Sequence, residues 1–298
     1  MRKAKLARDH GKWLLGKQTQ VEIAAGSKRS ARSFRRKTAW CWDQPSLARS
    51  VLTGEIHQAI VIDGIGIGSS VCLIARTTEF VIGWEWVAYE SNEYWSVFMV
   101  QLPAPVYVVC DGQKGMLLAI KTLWPNTTVQ RCRFHVLLNV RTKLTRHPGS
   151  PAGQALLLLA QDLLSIRRKR EARIWKARLR RWYRKHHTYI EHQTVTSNPR
   201  ARQRRWHYTH GRVRSAYRQL YKLRDDVLRS SYRPSPDLPP TSNHLEAGIN
   251  SQLRRWLGYH RGLPYEHQMK LVEQYLYSRS EAAQTQPQSG QKPPRKTF

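Results

Sequence analysis

Acidic residues are scarce in this chain. Its 298 residues hold 20 Asp+Glu against 51 Lys+Arg, a formal net charge of +31. A compact protein with that imbalance repels itself unless it meets a polyanion, so nucleic acid is the leading partner and a ribosomal or packaging role the plainer alternative. Cysteine is sparse too. Cys41, Cys72, Cys110 and Cys132 form no C-x-x-C, and three of them sit in or beside apolar runs. That argues against a disulfide framework and for reduced thiols in the cytoplasm. Long apolar runs are missing. The longest, "ALLLLAQDLL" from Ala155 to Leu164, is too short to span a bilayer and contains Asp162, so no membrane partner is expected. The N-terminus is basic but lacks an apolar segment followed by a cleavage site, so it does not read as a signal peptide.

What is present is enough to fold: 40% hydrophobic residues, with 11 Trp and 13 Tyr. The first fifty residues read as helical. Thr19 and Glu22 form a T-x-x-E capping box opening a short helix, with Val21 and Ala24 facing inward and Gly26 supplying a turn. Ser27 or Ser30 then caps a second helix bearing Arg29, Arg32, Arg35 and Arg36, which predicts a helix-turn-helix with a basic recognition helix. From His57 the pattern changes. "HQAIVIDG", "SVCLIART" and "EFVIGWEWVAYE" read as three antiparallel strands separated by "GIGIGS" and "TT". A helix capped by Ser91 or Asn92 follows, with Trp95, Phe98, Met99 and Leu102 at helical spacing. Then come the strand "APVYVVCDG", a helix ended by Pro125, and the short strand "TTVQRC". The expected fold class is therefore α/β, with a mixed sheet. Beyond Phe134 the chain reads almost entirely as helix. The stretch Arg167 to Arg224 holds twenty Lys/Arg and two acids, interleaved with Trp175, Trp182, Tyr183, Trp206, Tyr217 and Tyr221 and broken at "EHQTVTSNPR".

Two apolar strands end in an acid, Asp63 after "AIVI" and Asp111 after "YVVC". A carboxylate there is costly unless it is paired or binds a metal. If the two strands lie side by side, their acids meet and offer hard oxygen ligands to divalent ions. Glu246 is the candidate third ligand, near the start of a helix whose Leu245, Ile249, Gln252 and Trp256 form a largely apolar stripe. Asn250 lies one turn beyond Glu246, and Arg254 a further turn on. Each acid alone has a plainer reading: Asp-Gly is a common turn dipeptide, and Glu246 suits a helix N-terminus. "GIGIG" lacks the spacing of a dinucleotide-binding loop and runs into a strand, so no nucleotide cofactor is expected.

"VIDG", "VVCDGQKGM", "CRFH" and "TSNHLEAGINSQLR…HRGL", in this order, resemble bacterial insertion-sequence transposases of the mutator-like superfamily, over roughly Trp13 to Tyr277. These are DDE transposases with a ribonuclease H-like catalytic fold. The resemblance implies Asp63, Asp111 and Glu246 as the catalytic acids and ligands of two Mg2+ (or Mn2+) ions, with Asp63 bridging and Asn243 and Asn250 in support. It also matches Cys132 and His135 to a C-x-x-H motif. With no second ligand pair, that motif reads as structural or DNA-positioning rather than as a zinc site. The implied organisation is a helix-turn-helix region over 1–52, the first part of the catalytic core over 53–148, a basic helical insertion over 149–240, the last core helices over 241–280, and a disordered tail over 281–298. Arg180, Arg181, Arg204, Arg205, Arg254 and Arg261 are then expected to hold DNA, beside the arginines of the helix-turn-helix. Element ends and target DNA are the expected partners, with a homodimer acting at the nucleoid. Relatives often carry a cysteine-rich zinc ribbon ahead of the helix-turn-helix, and this chain has no C-x-x-C, which suggests a shortened version. A catalytically inactive, DNA-binding derivative of such an element is the alternative function.

Overall fold

The computed structural model describes residues 2–16, 18–44, 55–195, 206–232, 249–281 and 283. They fall into two compact units: 1–55, 64–90 and 245–298 in the first, 56–63 and 91–244 in the second. The fold is α/β with a mixed five-stranded sheet of order β3-β2-β1-β4-β5, where β1 is Ala59–Ile67, β2 Ser70–Arg76, β3 Val81–Val87, β4 Tyr107–Cys110 and β5 Thr128–Arg131. Strands β1, β4 and β5 are parallel, and β2 pairs antiparallel with β3. The first half of β1 and all of β4 are buried, as continuous Val/Ile runs demand of central strands.

One expectation about β1 fails. The glycines after Asp63 are not a loop: β1 continues through Gly64 and Gly66 to Ile67, and the reversal occupies only Gly68 and Ser69. Gly68 takes a left-handed φ of 59°, and a Cβ there would come within 2.7 Å of the Tyr265 ring. Isoleucines 65 and 67 explain the difference, since both are buried and keep the segment extended.

In the first unit, α1 (Arg2–Leu15), α2 (Gln20–Ala25) and α3 (Ala31–Thr38) precede the sheet. The capping box forms as expected: Thr19 Oγ1 accepts from the Glu22 amide at 3.2 Å, and the Glu22 carboxylate accepts from the Thr19 amide at 2.7 Å. Ser30 caps α3 by accepting from the Ser33 amide. Arg29 therefore lies ahead of the helix rather than on it. The inward residues of α2 are Ile23 and Ala24, which meet Phe34 and Trp13, whereas Val21 is exposed. Gly26 has an ordinary helical φ of −58°, and the left-handed turn residue is Lys28 at 51°. The same unit contains α11 (Ser251–Tyr259) and α12 (Tyr265–Ser278). Of the stripe expected to seat α11, Ile249 is buried, Gln252 and Trp256 are half-buried, and Leu253 joins them fully buried. Leu245 lies outside the described residues, as does the tail apart from Glu281 and Ala283.

His10 on α1 is 2% exposed, edge-on to Trp13 and Trp42, and its Nε2 has no hydrogen-bond partner among the described residues. Burial, reinforced by His267 and His260, pushes its pKa down to about 4. The neutral ring is the one the fold accepts, so its contribution to stability is complete above about 6.5 and drains away as pH falls toward 4. Melting followed against pH should show this unit weakening through that window, and His10→Phe should flatten the decline.

In the second unit, α4 (Asn92–Val100) is capped by Ser91 and buries Trp95, Phe98 and Met99, with Leu102 just beyond. Helix α5 (Lys114–Leu123) follows β4, and α6 (Arg133–Leu144) follows β5. Gly115 lets the starts of α4 and α5 touch, since a Cβ there would lie 2.7 Å from the Asn92 nitrogen. A helical layer then packs on α6: α7 (Pro151–Asp162), α8 (Lys169–Glu191), α9 (Gly211–Leu223) and the short α10 (Arg229–Tyr232). Trp175 and Trp182 belong to its core, donating indole N–H groups to the Leu159 and Ala152 carbonyls, while Trp206 is exposed. The expected break after α8 holds β6 (Gln193–Val195), which pairs antiparallel with β7 (Trp206–Tyr208) beyond it, two short strands that the almost entirely helical expectation missed.

Candidate functional site

The register of β1 on β4 relates the positions of the two acids. Ala59 pairs with Tyr107, Ile60 with Val108 and Val61 with Val109. Asp63 and Asp111 each lie two residues beyond the last registered pair, Val61 with Val109, Asp63 still within β1 and Asp111 directly after β4. Asp63 is 7% exposed and Asp111 half-buried. Asp63 does not end its strand, because β1 runs on to Ile67; it lies two residues past the last β1–β4 pair, Val61 with Val109.

The turn after Asp111 is built from its own side chain. Asp111 Oδ1 accepts from the Gln113 amide at 2.9 Å, and Gln113 in turn caps α5 by accepting from the Met116 amide at 2.7 Å. The plainer reading of Asp111 as a turn residue is therefore correct as geometry, and the same turn holds its carboxylate at the positive end of α5. Gly112 has φ 83°, and a Cβ on it would lie 1.8 Å from Cζ of Arg131. The guanidinium fills that space and donates through Nη2 to the Asp111 carbonyl at 2.6 Å. Any other residue at 112 would be strained by the left-handed φ and would displace the Arg131 guanidinium. Arg131, which the motif reading passed over, brings a positive charge against the Asp111 loop.

Cys132 is fully buried at the start of α6, where its amide donates to the Cys110 carbonyl at 2.8 Å, and His135 is half-buried one turn on. Burial pushes the Cys110 thiol up to about 12, so it stays protonated. Between Cys132 and His135 sits Arg133, with no exposed surface. Its Nε donates to the Val227 carbonyl at 2.6 Å, Nη1 to the carbonyls of Leu163 (3.3 Å) and Ile166, and Nη2 to the hydroxyls of Ser230 (3.1 Å) and Ser231 (2.6 Å). All its N–H groups are used. Gln130 on β5 adds a second hold, donating to the Val227 carbonyl and accepting from the Ser230 amide. This clasp ties the helical layer to the start of α6. Burial lowers the Arg133 guanidinium to about 10, which leaves it cationic at neutral pH.

The remaining site residues are dispersed. Arg32, Arg35 and Arg36 are exposed on α3, Arg180 and Arg181 on α8, Arg254 on α11 and Arg261 in the turn after it, while Arg29 is half-buried. Asn250 is 5% exposed just before α11. Glu246, Asn243, Arg204 and Arg205 lie outside the described residues. Among the described residues no three or more His, Cys, Asp or Glu side chains group as a metal site. The carboxylates of Asp63 and Asp111 are hard oxygen donors of the type a divalent cation takes. Nor, among the described residues, is any helix long and apolar enough to cross a membrane.

A comparison with curated proteins finds no match. Residues 70–205 match the family model "Transposase, Mutator family". The matched stretch takes in Asp111, the C-x-x-H motif and α8, with Asp63 just ahead of it and Glu246 beyond it. Over residues 70–205 this chain is thus similar to the Mutator family, and the match supports its being a mutator-like transposase.

Proposed function

We propose that this chain is a DNA transposase that cuts and joins DNA strands with the help of divalent metal ions, and that Asp63, Asp111 and Glu246 are its catalytic acids. The observation that supports this reading is the parallel register of β1 on β4, from whose last pair Asp63 and Asp111 each lie two residues on. The sheet order β3-β2-β1-β4-β5, with β2 antiparallel to β3, suits the ribonuclease H-like core that the resemblance implies.

Asp63, Asp111 and Glu246 would hold magnesium or manganese, two ions in all. When bound, these ions supply charge that activates water and stabilises the oxygens of an in-line displacement. In the cleavage step a water oxygen bonds to phosphorus and the strand's P–O3′ bond breaks, leaving a 3′-hydroxyl. In the joining step that hydroxyl loses its proton and bonds to a target phosphorus, and the target's own 3′-oxygen departs. Neither step needs a covalent bond to the protein. The turn made by Asp111, Gln113 and Gly112 holds one carboxylate in place while Arg131 pins the backbone behind it. The exposed arginines of α3 and α8 bind phosphates, and the pair α2–α3 acts as the helix-turn-helix that reads the element's ends, with two copies of the chain working on paired ends at the nucleoid.

The test is a strand-cleavage and strand-transfer assay of the full chain on DNA carrying the ends that flank its gene. Magnesium-dependent release of a 3′-hydroxyl and its joining to target DNA is expected. DNA binding with no cleavage in magnesium or manganese would leave only the inactive, DNA-binding alternative.

A further inference from the structure

Helices α8 and α9 repeat one pattern. Arg180-x-x-Tyr183-Arg184 on α8 matches Arg214-x-x-Tyr217-Arg218 on α9, with Tyr221 a further turn along α9. At these spacings each set occupies one helix face. The two faces meet through their tyrosines: Tyr183 stacks on Tyr217 at 4.9 Å and 12°, and Tyr221 lies 5.8 Å from Tyr217 at 30°. Tyr217 is the buried floor, itself stacked on Trp182, whereas Tyr183 and Tyr221 are 37% and 45% exposed. A cavity of about 720 Å³ opens beside them, lined also by arginines of both helices. That volume falls within the roughly 300–1,000 Å³ of sites that enclose a small organic ligand.

The charges are not balanced from within. Arg214 is committed, since it pairs with Glu191 at 3.2 Å and stacks over Tyr208 at 3.7 Å. Arg180, Arg184 and Arg218 have no carboxylate partner among the described residues. Three uncompensated guanidinium groups around exposed aromatic faces call for a ligand with several negative charges and a flat apolar surface.

We propose that the Arg180–Arg184 and Arg214–Arg218 groove binds single-stranded DNA, with phosphates against Arg180, Arg184 and Arg218 and an unpaired base on the exposed ring of Tyr183; the Tyr221 ring is already covered by the Arg224 guanidinium, 4.1 Å from its centroid. A duplex keeps its base faces covered by stacking, so only an unpaired strand uses both features. The source of the strand rests on the proposed transposase reading, in which cutting and joining expose unpaired ends. The binding itself requires no metal.

The test is fluorescence polarisation of the full chain in EDTA with three probes: oligo-dT of about 15 nucleotides, an abasic strand of equal length, and a duplex of equal length. Tyr183→Ala should weaken oligo-dT binding roughly tenfold or more, the scale of one lost base stack, and leave the abasic strand and the duplex unchanged. Tyr183→Phe should restore it. Arg184→Gln with Arg218→Gln should reduce the salt dependence of oligo-dT binding by about 1.4 log units per decade, from roughly 0.7 per phosphate on a single strand. Equal losses on the three DNA probes, no loss with Tyr183→Ala, or, with oligo-U RNA as a fourth probe, tighter binding than to oligo-dT would each overturn the assignment. A wild-type chain that binds oligo-dT as described but never cuts DNA would defeat the transposase reading alone. One that cuts while its Tyr183→Ala variant binds oligo-dT normally would defeat the groove alone.

Discussion

Asp63→Asn and Asp111→Asn should each lower strand cleavage by at least about a thousandfold, since a metal ligand at this centre accounts for several kcal/mol of transition-state stabilisation and each 1.4 kcal/mol is a factor of ten. Glu246→Gln should fall by the same order. Position 111 separates chemistry from structure. Asn keeps the oxygen that accepts from the Gln113 amide, so the turn into α5 should survive and the melting temperature should be unchanged while activity disappears. Asp111→Ala removes both and should also lose stability. An Asp111→Asn chain that still cleaves would reduce Asp111 to a turn residue.

Arg133→Met should destabilise the second unit by about 3 kcal/mol or more, because three carbonyls and two hydroxyls lose a buried donor at roughly 1–3 kcal/mol each, and such losses do not fully sum. Arg133→Lys should be intermediate, since an ammonium offers three donors from a single point where the guanidinium reaches in three directions. Arg170→Met, on the exposed start of α8, should stay within about 0.5 kcal/mol and serves as the control. Urea denaturation followed by tryptophan fluorescence measures all three, because Trp175 and Trp182 sit in the same helical core. Stability of Arg133→Met equal to that of the Arg170 control would mean that the clasp holds nothing.

Local chemistry was legible wherever a few neighbouring residues decide the outcome. The Thr19–Glu22 capping box, the Ser91 cap, the buried face of α4 and the acids after two apolar runs could all be read from the chain. Register was not, because the pairing of β1 with β4 depends on residues more than forty positions apart, and only that pairing puts Asp63 and Asp111 the same two residues beyond its last pair. The glycines after Asp63 misled because glycine signals a turn, while the isoleucines between them decide for a strand. Arg133 was invisible for a different reason. In a chain with 51 Lys and Arg, one more arginine reads as surface, and nothing nearby shows that carbonyls from Leu163, Ile166 and Val227 will enclose it. The paired Arg-x-x-Tyr-Arg pattern was present in the sequence all along. It acquires meaning only when α8 and α9 bring the two tyrosines into stacking contact.

The claim on which the rest depends is that Asp63 and Asp111 share a divalent ion. Calorimetric titration of the DNA-free chain with Mn2+ tests it directly, comparing wild type with Asp63→Asn, Asp111→Asn and the double variant. The expected result is a loss of about tenfold or more in affinity for either single change, with the double variant little worse than the worse single, as one shared site requires. Unchanged affinity in either single variant, or losses that simply multiply in the double, would contradict it.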